Sequence, residues 1–206
     1  MDGLPFSQAC ENNKASILAV LREVFADRQH VLEIGSGTGQ HACHFAAHLP
    51  WLQWQPTELQ ENLAYLLPRC KAHEGENLLP PRVLDVRQEP WPVAIPDAVF
   101  SANCLHIMAF PVVERLFAAL GRHGSQGLVF ANYGPFNYRG EYTSASNARF
   151  DQWLAAQNPD SAIRDFEEVD RLAASAGLGL AADNDMPANN RLLVWTRGAA
   201  AARTEK

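Results

Sequence analysis

Three carboxylates and a glycine-rich turn carry the chemistry most readily read from this sequence. Glu33 precedes Gly35-Ser36-Gly37-Thr38-Gly39, Glu58 follows about twenty residues later, and Asp85 closes a third short apolar run. Glycines at this spacing let the main chain turn sharply and present bare peptide groups to a ligand. An acid just ahead of the turn suits a ligand carrying positive charge. The ammonium and sulfonium of S-adenosylmethionine supply that charge, whereas a pyrophosphate would be repelled. Gln40 stands where the dinucleotide fingerprint G-x-G-x-x-G/A needs Gly or Ala, which opposes a nicotinamide-dependent reductase. The turn residues Gly35, Ser36, Gly37 and Thr38, with Gln40 and His41 beside them, are therefore expected to line a cofactor pocket.

Glu58 stands at the distance where a carboxylate can accept both ribose hydroxyls, and Leu59 beside it could cover an adenine face. Taken alone, Glu58 could equally favour the N-terminus of a following helix through its dipole. Asp85 could accept from the adenine amino group while Val86 donates its backbone N–H to the ring, although a lone Asp in such a loop often serves as a turn residue. In series, the three acids point to an adenosyl ligand.

The acceptor side is less explicit. Methyl transfer is an in-line displacement at a carbon already activated by sulfur, so placement of the nucleophile supplies much of the rate and no dyad is required. In Asn103-Cys104-Leu105-His106, Asn103 could receive the cofactor's amino group and His106 could orient or deprotonate an acceptor. A histidine simply bonded beneath a loop is the alternative. The segment lacks the Asn/Asp-Pro-Pro-Tyr pattern of amide- and adenine-amino methyltransferases. From 133 to about 164 the chain is expected to form a lid, with Tyr133 as a second catalytic candidate and Phe136 as a substrate contact. Phe150 and Trp153 fit the lid or helix packing equally well and are not counted. Asn189 and Asn190 could reach the substrate mouth or merely form a turn.

The elements that must position these residues alternate. Helical periodicity covers 8–26, followed by an apolar strand 30–34, a helix 39–48, a strand 52–56, a helix 59–72, and strands at 82–85, 98–101 and 127–131, with a helix 112–120 between the last two. Such alternation predicts an α/β fold with one doubly wound, Rossmann-like, mostly parallel sheet. Runs at 178–180 and 192–195 lack an intervening helix and predict a closing antiparallel hairpin. One domain over 1–197 and a frayed tail over 198–206 are expected.

Composition narrows the function. The 206 residues are 47% hydrophobic and 19% charged, as in a folded soluble enzyme, and the net charge of −6 opposes a nucleic-acid partner. Four separated cysteines without a C-x-x-C pattern suit reduced thiols, and neither a secretion leader nor a membrane span is apparent. The chain reads as cytoplasmic. His44 and His48 lie one helical turn apart, but His41 to His48 spans about 10 Å of rise, too far for one ion, so no metal is expected.

The residues also resemble a largely uncharacterised methyltransferase-like family that includes animal methyltransferase-like protein twenty-six and many bacterial relatives. The resemblance runs from Glu11-Asn12-Asn13-Lys14 through the glycine turn and Trp54-Gln55-Pro56-Thr57-Glu58 to Asn103-Cys104-Leu105-His106-Ile107. Its most distinctive parts are Tyr133-Gly134-Pro135-Phe136, residues 146–151, Ile163-Arg164-Asp165 and residues 186–190. Asn12 departs from an expected arginine, and Thr57-Glu58 replaces a more usual Ser-Asp. The resemblance implies the class I methyltransferase fold, S-adenosylmethionine as cofactor and a cofactor contact at Asn13, and it names no acceptor. A small-molecule acceptor is the leading expectation. A protein acceptor, or a non-catalytic cofactor-binding module acting through a partner, stands beside it, and oligomeric state is open.

Overall fold

The computed structural model describes residues 4–198. Seven strands form one sheet in the order β3-β2-β1-β4-β5-β9-β8. Strands β1 (His30–Ile34), β2 (Gln53–Glu58), β3 (Arg82–Val83), β4 (Ala98–Ala102) and β5 (Val129–Gly134) run parallel. The last pair, β8 (Gly179–Met186) and β9 (Asn190–Thr196), is antiparallel and joined through a short 3₁₀ turn at Pro187–Asn189. Helices α1 (Gln8–Val24), α2 (Gln40–His48), α3 (Leu63–Lys71), α4 (Phe110–His123) and α6 (Phe166–Ser175) connect or flank the strands. The expected doubly wound α/β architecture with its closing hairpin is what the chain adopts.

Both sheet faces are covered, because the apolar strands have no polar side to show to water. Alternation divides each strand between two cores: Leu32, Val99, Phe130 and Trp195 pack with α4 and α6, whereas Val31, Phe100, Ala131 and Val194 pack with α1 and α2. Within the second core the rings of Phe45, Trp54 and Phe100 meet at 5.4–5.8 Å between centroids. Full burial of side chains of this size is worth about 1.5–3 kcal/mol each. The five parallel strands point their carboxyl ends at a common rim, with the strand order reversing between β1 and β4. Ligands of such sheets bind outside that reversal.

Boundaries shift for local reasons. The helix expected at 59–72 starts at Leu63, because residues 59–62 form a turn in which the Asn62 N–H donates to the Leu59 carbonyl. The strand expected at 82–85 keeps only two residues; Asp85 instead accepts the Arg87 N–H at 2.9 Å and bends the chain. Strand β8 is longer than the run at 178–180, because Asp183 and Asp185 pair with Arg191 across the ladder and supply a polar outer edge. The presumed lid holds regular structure: β6 (Phe136–Asn137), helix α5 (Ala145–Gln157) and β7 (Arg164–Asp165), with β6 and β7 paired. Beyond Gly198 the tail read as frayed lies outside the described residues. Among the described residues, no helix is long and apolar enough to cross a membrane.

Candidate functional site

A cavity of about 820 Å³ opens at the rim where the strand order reverses. Its floor is the glycine turn, in which Gly35, Gly37 and Gly39 all take left-handed backbone angles (φ +73°, +54° and +76°). Their lack of side chains serves different ends. A Cβ on Gly35 would sit 2.4 Å from Cys104 Sγ, so this glycine lets β1 and the chain after β4 close on each other. A Cβ on Gly37 would meet nothing within 4 Å and would project into open space. The first glycine makes the fold; the second leaves room for a ligand.

Glu33 does not line the cavity. Its carboxylate lies beneath the turn, accepting from Ser36 Oγ at 2.8 Å and Trp54 Nε1 at 3.0 Å. Burial pushes it up to about 7, against the lowering effect of those two hydrogen bonds. Ser36, held from below, lines the cavity with Thr38 and His41. Glu58, at the end of β2, does reach it. One carboxylate oxygen accepts the Gly37 N–H and the other the Leu59 N–H, both at 2.8 Å. Leu59, Leu84, Asp85 and Val86 continue the wall. Arg87 grips Asp85 through both its Nε and Nη2, at 2.6–3.0 Å, and these hydrogen bonds hold the carboxyl below its usual range. Asn103 completes this half from a left-handed position (φ 57°) after β4.

Two residues expected at the cofactor stand one step behind it. Asn13 Oδ1 meets His41 Nε2 at 2.6 Å, and neither Asn13 nor Gln40 lines the cavity. Gln40 accepts the Ser7 N–H and donates to the Ser7 carbonyl and to Glu11, which pins the start of α1 over the rim. Ser7, Ala9 and Cys10 thereby form a wall that sequence reasoning missed. The only local signal was Ser7 as a helix cap.

The other half of the cavity is more apolar. His106 is 5% exposed and lines it with Ile107, Met108, Val112 and Phe150. The Phe150 ring meets the imidazole edge-on at 5.4 Å. Burial, then the positive charge of Arg164, lowers His106 to about 4, with Asp151 opposing. The imidazole is therefore neutral at pH 7. Asn158 and Asp160 supply polar groups at this end. Phe150, left open between lid and helix packing, lines the cavity beside His106.

The structure keeps the remaining predicted residues away from this chamber. Tyr133 alternates onto the α1 face of β5, 3% exposed, with its hydroxyl bonded to Asn13 and Asn190. Phe136 is 1% exposed in the core packed on α4 and α6. Asn189, at φ 57°, accepts from Asn147 through its carbonyl, and Asn190 Nδ2 donates to the Pro187 carbonyl. The Asn190 side chain thus serves the hairpin turn and Tyr133, whereas Asn189 Nδ2 donates to Ser146 Oγ on α5 at 3.4 Å. The His44 and His48 rings lie 4.3 Å apart, and among the described residues no three His, Cys, Asp or Glu side chains gather as a metal site.

Residues 4–197 match the family model described as "Protein of unknown function (DUF938)". The fold is similar to that of an O-methyltransferase family protein from Burkholderia thailandensis (TM-score 0.75, 17% identity, 91% of this chain and 57% of that chain). It is also similar to an O-methyltransferase family 2 protein from Planctomyces limnophilus solved in complex with apigenin (TM-score 0.78, 16% identity, 91% and 58%). Human N-acetylserotonin methyltransferase in complex with SAM is a third match (TM-score 0.70, 14% identity, 93% and 58%). At such identities the likeness establishes the fold, and the chain spans little more than half the length of these structures.

Proposed function

The chain belongs to the DUF938 family of proteins of unknown function, and we propose that it is an S-adenosylmethionine-dependent methyltransferase acting on a small, largely apolar acceptor. One observation carries this reading: a single rim cavity joins Gly37, whose missing side chain leaves ligand space, to Glu58, Asp85, Asn103 and His106. The likeness to the methyltransferase-like protein twenty-six family and the O-methyltransferase folds of the solved neighbours support it.

When bound, S-adenosylmethionine supplies a methyl carbon activated by its sulfonium. Glu58, already oriented by the Gly37 and Leu59 N–H groups, retains lone pairs for the ribose hydroxyls. Val86 offers its main chain and Asp85 its carboxylate to an adenine edge, with Leu59 against the ring. Ser36, Thr38 and Asn103 address the amino-acid end, while Asn13 and Gln40 act through His41 and Ser7. A cationic ligand would favour the ionised form of Glu33 beneath the turn, which burial holds at about 7.

The apolar surface of Ile107, Met108, Val112 and Phe150 would exclude water and hold an acceptor beside His106, against the end of the cavity where the cofactor's methyl group would be supplied. His106 receives the acceptor's proton. A hydroxyl becomes strongly acidic as its bond to carbon forms, so an imidazole lowered to about 4 is still basic enough when it acts in concert with transfer. The four cysteines are free thiols, which fits a cytoplasmic setting.

Titration calorimetry with S-adenosylmethionine tests the premise. Micromolar binding that Gly37→Arg abolishes is expected, and no heat at millimolar ligand overturns it. His106→Ala should keep that binding and lose turnover. Labelled cofactor incubated with a small-molecule extract and, separately, with a protein fraction shows which holds the acceptor; label confined to protein would replace the small-molecule reading.

A further inference from the structure

The loop carrying His106 has no strand partner and no helix of its own, yet its carbonyls are fully engaged. The Leu105 carbonyl accepts from Arg164 Nε at 3.0 Å, the His106 carbonyl from the Ala162 N–H at 3.0 Å, the Ile107 carbonyl from Ser161 Oγ at 2.9 Å, and the Met108 carbonyl from Arg164 Nη2. Four consecutive acceptors are thus taken by one short stretch, residues 161–164, more than fifty positions away in sequence. Arg164 also donates to the Asp160 carbonyl at 2.9 Å and lies 5.8 Å over the Phe110 ring. The far side of the stretch is tied to α5, where Asp151 Oδ1 accepts the Ile163 N–H at 2.6 Å.

We infer that Arg164 is a positioning residue: its buried guanidinium clamps the His106 loop to residues 158–164, so that both walls of the acceptor chamber are set by one side chain. The inference rests on the methyltransferase reading for its meaning, while the clamp itself stands on the hydrogen bonds. Arg164 is 8% exposed, and its charge is met by three backbone carbonyls. Only a planar fork with donors in several directions reaches carbonyls 105, 108 and 160 together; a lysine ammonium is a single point on a flexible stem. Removing the fork leaves buried acceptors unmet, which costs about 1–3 kcal/mol for each group. The loop then has every reason to move.

The same side chain has an electrostatic effect. Its positive charge faces His106 from the cover segment, while Asp151 on α5 acts in the opposite sense. Arg164 thus bears on both the geometry and the protonation of the imidazole, with burial the larger cause of the lowering.

Arg164→Met and Arg164→Lys, compared with the unaltered protein, separate a positioning role from a scaffold role. Three readouts are taken on each: amide exchange of residues 105–108 and 162, the His106 titration followed by imidazole NMR, and S-adenosylmethionine affinity by calorimetry. Exchange at the loop should rise at least about tenfold in both variants, as expected for loss of a charged hydrogen-bonding partner. The His106 midpoint should move up toward the ordinary histidine value in Arg164→Met, and less in Arg164→Lys, which keeps the charge. Cofactor affinity should stay within about twofold, because none of the expected cofactor contacts touches Arg164.

Unaltered loop exchange together with an unmoved His106 midpoint would overturn the inference. Global unfolding of both variants would assign Arg164 to the scaffold and overturn it as well. Absence of cofactor binding by the unaltered protein would instead sink the methyltransferase reading and leave the clamp measurements standing.

Discussion

The two halves of the rim cavity are built by opposite means. In the half proposed for the cofactor, contacts come from the ends of neighbouring parallel strands, and much of the surface is main chain: the Gly37 N–H meets Glu58, and the Ser36 N–H meets the Thr57 carbonyl. In the acceptor half, a loop without regular structure is held by side chains and amides from a distant insertion. The first is fixed once the sheet forms, since all five parallel strands deliver their carboxyl ends to one edge. The second depends on what the insertion between β5 and α6 happens to be. Under the proposed function, the sheet edge would set cofactor recognition and the insertion would set acceptor choice.

The sharpest way to probe the contrast is inside the glycine turn, where one residue serves the fold and its neighbour the ligand. Gly35→Ala combines a left-handed backbone with a collision against Cys104 Sγ and should destabilise by about 3–4 kcal/mol in urea melts. Adding Cys104→Ala should recover the steric part. Gly37→Ala meets no atom and should cost only about 1 kcal/mol, with no rescue from position 104. Equal losses at the two glycines would erase the distinction.

Protonation gives a somewhat smaller effect. The Glu33 carboxyl is raised from its ordinary value to about 7, so the fold prefers it protonated. Its contribution is fully present below pH 4.5 and is lost as pH rises through 7. Between pH 4.5 and 8, Glu33→Gln should gain on the order of 2–3 kcal/mol relative to the unaltered protein. His106 and His41, both lowered to about 4, act in the opposite window: their contribution is present above pH 6.5 and disappears as pH falls toward 4. A flat difference between Glu33→Gln and the unaltered protein would show that the carboxylate beneath the turn is solvated after all.

At the ligand level the halves should separate cleanly. Glu58→Gln should weaken S-adenosylmethionine about tenfold, because a charged acceptor for the ribose becomes neutral and loses one oxygen. The smallest effect is the most diagnostic. Phe150→Ala should leave cofactor affinity within about twofold while enlarging the acceptor chamber beside His106. A large loss of cofactor binding there would mean that the two halves are not independent.

That several of these residues would share one cavity was legible in the sequence. The glycine turn, Glu58, Asp85 and Asn103 all lie at strand ends, and apolar runs announce where strands end. Glu33 was legible as an acid in the right place, but its position beneath the loop follows from the Trp54 and Ser36 hydrogen bonds, which no spacing reveals. Tyr133 and Phe136 looked like lid aromatics because they follow a strand in a loop-rich stretch. β5 runs on to Gly134, and its alternation turns Tyr133 toward α1. Phe150 was open in the sequence between lid and packing, and the structure decides it: the face of α5 that carries it closes over His106.

The amino-acid order by itself settled the architecture and the edge of the sheet at which the cavity opens, since periodicity and turn chemistry are local and parallel strands have one carboxyl edge. Only the tertiary structure decided the acceptor half, because the pairing of 105–108 with 161–164 is a long-range closure between segments with no shared pattern. Nothing about Arg164 read locally distinguishes a surface cation from a buried clamp; the carbonyls it meets become its partners only when the chain has folded.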